Sequence, residues 1–546
     1  MWKKTYKMCC LFLAFYRKFG YNRYTCEPHT NPCKGDTDMK YLIGVDLGTS
    51  GTKTVLFDVH GNSVASASVE YPMYQPKNGW AEQEPEDWWQ AAVTTIKAVV
   101  DKSQVNPADI AGLSLSGQMH GLVLTDDKGS ALGRSIIWCD NRTIEECDEF
   151  TRLVGGREHL IQIAANPALT GFTAGKILWV RRHQPEIWEK ARHIQLPKDY
   201  VRLKLTGEYY MEMSDASGTN LLDVPHRCWS REICDKVGLD MNMLPPLVES
   251  CDIAGYITEE AAKLTGLKAG MPVAAGAGDN MAAAIGTGVV REGKAFTTIG
   301  TSGVIFAHSD SVQIDPAGRV HTFCSAVPGG YVVMGVGLAA GLSLKWCRDT
   351  FFQAEIQVAQ EMGTDSYVLM NKEAEQSPIG ANRLIYLPYL MGERSPILDP
   401  ESRGVLFGLS AMHTKKDVVR AVMEGVMYSQ WHNLNVLRGM HVAPEAMLAC
   451  GGGAKSPFWR QMMADMYNMP VSILQNTEGP ALGAAIMAGV GAGIYKDVPS
   501  ACEEILKESE PLQPDACRHA AYEPYFDLYQ QLYPALKESF HQLAKL

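Results

Sequence analysis

Two carboxylates in this chain stand at glycine turns, a placement suited to phosphate chemistry. Asp46 closes an apolar run over 41–46, and Gly48, Thr49, Ser50 and Gly51 follow before a second β-type run resumes at Val55, Leu56 and Phe57. Small residues between two strands let backbone N–H groups face outward unobstructed, which is how a chain cradles phosphate. A carboxylate at such a turn can hold a divalent cation against that phosphate; as plain structure it would cap a hairpin. The pattern returns. Residues 299–303 read IGTSG where 47–51 read LGTSG, each near the start of one half of the chain. Recurrence at equivalent points favours duplicated domains facing one nucleotide. The second carboxylate, Asp279, follows the glycine turn Gly276-Ala277-Gly278 and heads a small-residue helix. As its N-cap, Asp279 would be rigid and ionised, a weak but well-aimed base.

Other polar residues gather where strands end, the usual ligand position in α/β proteins. A short apolar strand over 110–115 runs into Ser116-Gly117-Gln118-Met119-His120-Gly121, and the run 136–138 into Cys139-Asp140-Asn141-Arg142. His120 has two readings, a ligand or a satisfied turn histidine. Trp138 reads first as core, Arg142 as the partner of a nearby carboxylate, and Glu393 with Arg394 as an ion pair fixing their loop. Gly451, Gly452 and Gly453 permit close backbone approach, and Ser456-Pro457 are N-cap and first-turn signals for a helix over 458–467. The helix opened by 478–485 is lined with Gly and Ala, suited to tight packing against a neighbour or a flat ring.

The elements that must position these residues are ordinary α/β pieces. At 546 residues and 60.0 kDa the chain exceeds one core, so two large domains are expected. A three-stranded meander spans 41–69, and a helix starts near Glu86 behind Pro85. Another starts near Thr414 and carries Val418, Val422 and Val426 at helical spacing, which is core. A formal net charge of -11 argues against binding a nucleic acid backbone. No stretch approaches the ~20 apolar residues of a membrane span. Fourteen cysteines lie scattered without metal-ligand spacing, as free thiols of a reducing compartment, the cytoplasm, would. A Walker A loop is excluded because Thr52 rather than Gly precedes Lys53 and a strand follows; a dinucleotide fingerprint fails at Met281.

These stretches together resemble the FGGY carbohydrate kinases, members of the actin-like ATPase superfamily. The resemblance rests on DLGTSGTK (46–53), GQMHG (117–121), WCDNR (138–142), LPKDY (196–200), SDASGT (214–219), GDN (278–280), GTSGV (300–304), GERSP (392–396), GGGAKS (451–456) and EGPALGAA (478–485). It covers the chain from Met39 onward. It implies two α/β domains of ribonuclease H-like topology, each with a mixed five-stranded sheet, and a catalytic cleft between them: a sugar-binding domain over 39–286 and a nucleotide-binding domain over 287–546. It further implies transfer of phosphate from MgATP to O5 of D-xylulose, or to ribulose, gluconate or glycerol in related members; GQMHG favours the first. Asp279 would be the base, and Met119, His120, Trp138 and Asn280 would line the sugar pocket. Asp46 would act near Mg2+. Gly48, Thr49, Ser50, Lys53, Gly300, Thr301 and Ser302 would cradle phosphates, while Gly452, Gly453 and Ser456 approach the adenosine. A homodimer stays open. A shape-changing ATPase would need a peptide-binding or polymerising surface, and a sugar-sensing regulator a basic helix-turn-helix before the first strand; neither pattern is present.

Upstream of the first strand, Lys3, Lys4 and Lys7 precede a short apolar run over 8–16, without a small-residue cleavage pattern. Residues 1–38 read as a non-core extension. A chain beginning at Met39 should fold and keep its activity; failure to fold would return the extension to the core.

Overall fold

A strand buried on both faces must lie inside a covered sheet. Leu42 and Ile43, on opposite faces of the first strand, are 1% and 0% exposed. The computed structural model describes residues 40–475 and 478–546, so the extension expected at 1–38 lies outside the described residues. The first sheet comprises β1 (Tyr41–Leu47), β2 (Gly51–Asp58), β3 (Ser63–Glu70), β4 (Ile110–Gly117), β5 (Ile253–Tyr256), β6 (Pro272–Ala274) and β7 (Ala277–Gly278). Their order is β5-β6-β4-β1-β2-β3, with β7 on β4. The second comprises β8 (Lys294–Ile299), β9 (Gly303–Ser309), β10 (His321–Cys324), β11 (Tyr331–Gly337), β12 (Ala446–Cys450) and β13 (Val471–Ser472), in the order β10-β11-β9-β8-β12-β13.

The same five-strand path runs through both sheets. In β3-β2-β1-β4-β6 the first two pairings are antiparallel and the last two parallel. The path β11-β9-β8-β12-β13 repeats them. The five strands expected per sheet become seven and six because edge strands β5 and β10 widen them and β7 joins β4. That short β7 matters. It pairs Ala277 with Ser116, and β1 pairs Asp46 with the same Ser116, so one row across the sheet leads from Asp46 to the residues before Asp279.

Helices flank the sheets. The first is α1 (Pro85–Ser103), whose Trp88, Ile96 and Val99 are fully buried and whose Thr95 hydroxyl meets that of Thr54 on β2 at 2.7 Å. Next come α2 (Thr173–His183), α3 (Pro197–Thr206), the short α4 (Met213–Ser217) and α5 (Asp279–Gly286). The second half supplies α6 (Lys415–Gly439), α7 (Pro457–Tyr467), α8 (Gly479–Gly491) and α9 (Ala516–Leu543). A reciprocal capping box between Thr414 and Asp417 starts α6, and its buried Val422 and Val426 follow the predicted spacing.

The helix α8 belongs to the second half by sequence, yet it packs on the first sheet and on α5. A Cβ on Gly44 of β1 would lie 1.9 Å from the Ala481 carbonyl oxygen. One on Gly286 would lie 1.9 Å from the Gly479 oxygen, and one on Gly483 1.9 Å from that of Ala282. Backbone thus meets backbone at three points, and only glycine fits. Gly483→Ala should destabilise the protein by at least about 1–3 kcal/mol, because backbone cannot yield as a side chain does. Gly439→Ala, at the exposed end of α6 with open space around it, should stay within about 0.5 kcal/mol. Denaturant unfolding of both variants checks the contrast, and equal effects would refute it.

Candidate active site

Both glycine turns are closed by backbone bonds at their bases. The Gly48 amide donates to the Gly51 oxygen at 3.0 Å, and the Gly300 amide to the Ser302 oxygen at 3.0 Å. Their tips, Ser50 and Thr301, are exposed. Neighbouring side chains stiffen the first turn: Gln83 Nε2 donates to the Thr49 carbonyl at 2.7 Å, and Tyr71 donates its hydroxyl to that of Gly48. Trp138, expected as core, is 40% exposed and donates its Nε1 to Thr49 Oγ1 at 2.8 Å. The short turn Gly452–Lys455 lies against the end of β8, where a Cβ on Gly453 would meet Ile299 at 2.6 Å. Gly452 and Gly453 therefore neighbour the second phosphate-type turn. Ser456 Oγ is engaged as the N-cap of α7, accepting the Trp459 amide at 3.1 Å. Lys53 lies opposite Asp46 across the β1–β2 pair and forms an ion pair with Glu478 just ahead of α8.

Between the two turns opens a cavity of about 230 Å³. Thr49, Met119, His120, Trp138, Asp279 and Asn280 line it from the first half; Ser302, Val304, Val336 and Arg394 line it from the second. Asp46 stands behind this lining and accepts a hydrogen bond from Ser116 Oγ at 3.0 Å. Burial pushes its carboxyl up, an effect that Ser116 and Lys53 moderate.

His120 has a left-handed backbone, φ 69°, and much holds it there. Its carbonyl accepts from Lys176 Nζ at 2.8 Å and from the Thr173 hydroxyl at 3.1 Å, both on α2. Its Nδ1 lies 3.0 Å from the Gly218 carbonyl oxygen, so Nδ1 carries the proton and Nε2 a free lone pair. Burial, then the Lys176 charge, hold its pKa well below the usual value, and the ring is neutral. Behind it lies a fully buried charge network from the LPKDY and SDASGT stretches. Lys198 Nζ meets Asp215 at 2.8 Å, Asp199 at 3.0 Å and Glu212 at 3.1 Å, while Arg202 meets Asp199 at 2.9 Å. Burial pushes the Asp215 carboxyl up, an effect that the Lys198 charge opposes. The network's Ser214 hydroxyl accepts the Gly278 amide at 3.1 Å, which anchors the backbone just before Asp279.

Two features differ from expectation. Gly278, not Asp279, is the N-cap of α5, and Asp279 is its first helical residue. Its Oδ1 accepts the Asn280 amide at 2.7 Å and Asn280 Nδ2 at 3.0 Å, while Oδ2 has no partner among the described residues. Nor is it held ionised: burial, then the charge of Asp46, push its carboxyl up to about 7. The expected Glu393–Arg394 pair is also absent. Glu393 Oε1 accepts the backbone amides of Leu338 at 2.8 Å and Arg394 at 2.9 Å, and burial pushes its carboxyl up to about 8. The Arg394 side chain is left facing the cavity. Arg142 does pair as expected, with Asp140 at 2.7 Å and Glu82 at 2.8 Å. Arg394, read from its GERSP stretch as half of an ion pair, is instead a cavity residue, while Lys176, which the sequence did not single out, holds the His120 carbonyl from behind.

Family models describe both halves. The FGGY family of carbohydrate kinases, N-terminal domain, matches residues 41–286, and its C-terminal domain matches 295–492. A xylulose kinase from Bacillus subtilis is 41% identical over 500 residues, 92% of this chain and 98% of that protein. Ligand-bound xylulose kinase from Lactobacillus acidophilus superposes with a TM-score of 0.85 at 28% identity, over 92% of this chain and 100% of that one. Gluconate kinase from the same organism reaches 0.86 at 29% identity over the same shares.

The raised Asp279 carboxyl gives a stability signature. Its pKa rises from 3.8 to about 7 in the fold, so between those values the folded state holds a proton that the unfolded chain has lost. Stability therefore falls as pH rises through that window and levels off above it. In Asp279→Asn the melting temperature should gain on wild type as pH rises from about 4 to about 7, then hold a constant lead. A lead independent of pH would refute the raised pKa.

Proposed function

The chain belongs to the FGGY family of carbohydrate kinases, and on that premise we propose that it transfers the γ-phosphoryl group of ATP to O5 of D-xylulose, giving ADP and D-xylulose 5-phosphate in xylose catabolism. One observation carries the reading. Asp279 offers a single unpartnered carboxylate oxygen at a cavity that both glycine turns reach, through Thr49 and Ser302.

Phosphoryl transfer passes through a loose in-line transition state, which asks for positioning and charge neutralisation more than for a strong base. Asp279 orients O5 and accepts its proton late, and a pKa near 7 suits that task at neutral pH. His120 Nε2 accepts a hydroxyl hydrogen from the sugar, while Met119, Trp138 and Asn280 bound the pocket. The turns at Gly48–Ser50 and Gly300–Ser302, with Lys53 nearby, take the phosphates; Gly452, Gly453 and Ser456 lie toward the adenosine. Asp46, whose charge raises the Asp279 carboxyl, would hold a divalent cation on the phosphate side. Among the described residues no three metal-ligating side chains cluster, which fits Mg2+, an ion that keeps waters and phosphate oxygens as ligands. When bound, it would neutralise charge on the phosphates. Closure of the halves would exclude competing water.

The setting accords with a reducing compartment such as the cytoplasm: every cysteine among the described residues is a free thiol, and no described helix is long and apolar enough to cross a membrane. A second reading has one observation behind it. Arg394 puts a cation in the cavity, which an aldonate such as gluconate would match.

ADP release with MgATP and a panel of D-xylulose, D-ribulose, D-gluconate and glycerol decides between them. D-xylulose should lead in kcat/KM by at least about 100-fold, as buried polar pockets permit; a lead for gluconate would overturn the proposal. In His120→Ala the KM for sugar should rise at least about tenfold, because a buried hydroxyl loses its acceptor, while that for ATP changes less than about twofold. Equal changes would remove His120 from the sugar pocket.

A further inference from the structure

Arg394 is a cation in a cavity assigned to an uncharged sugar, and no side chain meets it at ion-pair distance among the described residues. It forms no ion pair among the described residues, since Glu393 is committed to two backbone amides. Its loop is nevertheless well held. The Ser395 amide donates to the Val336 oxygen at 2.9 Å, Asn433 Nδ2 to the Ser395 oxygen at 3.2 Å, and Glu393 and Asp399 exchange backbone bonds at 2.9 Å. A fixed loop that presents an unpaired guanidinium to a cavity is built for a ligand.

The strand register tells which end of the ligand. From the phosphate-side turn at Ser302 the cavity wall descends to the Val304–Val336 pair, then to Met334, whose partners are Phe306 and, on β10, His321. Arg394 enters beside Val336. Its charge bears on His120 and His321, whereas the Asp279 carboxyl answers to Asp46. Asp279 therefore answers to the Asp46 side of the cavity, and Arg394, beside Val336, to the wall that leads toward the histidines.

Two imidazoles lie on that side, His120 lining the cavity and His321 packed behind its lining residues Met334 and Phe172. Asn166 spends its amide protons on the Thr322 and Ala164 carbonyls, so its Oδ1 accepts from His321 Nδ1 at 3.1 Å. His321 Nε2 then carries a lone pair, is buried, and has no partner. His120 Nε2 is likewise unprotonated. A donor-only fork beside the His120 acceptor nitrogen complements a carbonyl next to a hydroxyl: the ketone oxygen only accepts, and its neighbour donates. A C2 alcohol would bring one further proton toward a guanidinium that cannot accept it.

We propose that Arg394 binds the C1–C2 hydroxyketone end of the sugar, discriminating ketose from alditol and tying the second half of the protein to the substrate. This rests on the D-xylulose reading above. The test compares KM for D-xylulose with the inhibition constant of xylitol, the same carbon chain with an alcohol at C2, in wild type, Arg394→Met and Arg394→Lys. Wild type should bind xylitol at least about tenfold more weakly than D-xylulose, because a buried donor site rejects a mismatched group. In Arg394→Met that ratio should collapse toward one through a higher KM for D-xylulose, with KM for ATP nearly unchanged; Arg394→Lys should fall between. A preserved ratio in Arg394→Met overturns the proposal, as does a fall in kcat at constant KM, which would assign Arg394 to the phosphoryl group. A thermal melt identifies variants that fail to fold. Should both fail, the wild-type ratio decides, and equal binding of xylitol and D-xylulose overturns the proposal. Absence of wild-type turnover on D-xylulose would instead remove the functional reading itself.

Discussion

The contact on which the site depends is the one among α5, α8 and β1, where backbone lies directly on backbone. Gly44, Gly286 and Gly483 each leave a gap too small for a methyl group against a facing carbonyl. Because β1 carries Asp46 just before its end at Leu47 and α5 begins at Asp279, the clamp bears on how far apart the two carboxylates stand. The clamping helix is drawn from the second half of the chain, so this geometry and the joining of the halves are one constraint. Lys53, opposite Asp46 in register, adds an ion pair to Glu478 at the head of the same helix.

The buried charge network does similar work on the sugar side. Lys198 and Arg202 with Asp199, Glu212 and Asp215 would be a poor source of stability by themselves, since desolvation offsets most of the attraction between buried ions. Their value is in what hangs from them. Ser214 holds the Gly278 amide, and the following turn offers the Gly218 carbonyl to His120. The backbone of Asp279 and the ring of His120 thus share one buried support.

With those supports in place, the chemistry follows from where charge is allowed to sit. The Asp279 carboxyl is pushed up to about 7 by burial and by Asp46, so its proton affinity suits an acceptor at neutral pH. On the other half of the protein Arg394 lines the cavity with a positive charge that no side chain meets at ion-pair distance among the described residues. One cavity is thereby lined by an acid-base group from the first half of the protein and a guanidinium from the second.

Local chemistry was readable from the chain and long-range chemistry was not. The glycine turns, the Ser456 cap and the Gly/Ala character of 479–491 are properties of a few consecutive residues, and so is the meander of β1 to β3 that starts the first sheet, whereas the five strands per sheet came only from the family resemblance. What those stretches meet is set by parts of the chain hundreds of residues away. The helix over 479–491 announced tight packing but not that β1 and α5 were its partners. Trp138 carried the composition of a core residue until Thr49 gave its indole N–H a partner at the cleft. Glu393 and Arg394 are adjacent and opposite in charge, which suggests a pair; the Leu338 amide, remote in sequence, takes the carboxylate first and frees the guanidinium. Asp279 was recognisable as the key carboxylate from its turn, but its protonation depends on burial and on Asp46. The sequence by itself determined which residues could handle phosphate. Only the tertiary structure decided their charge states and their neighbours, because burial and Coulomb interactions act through space.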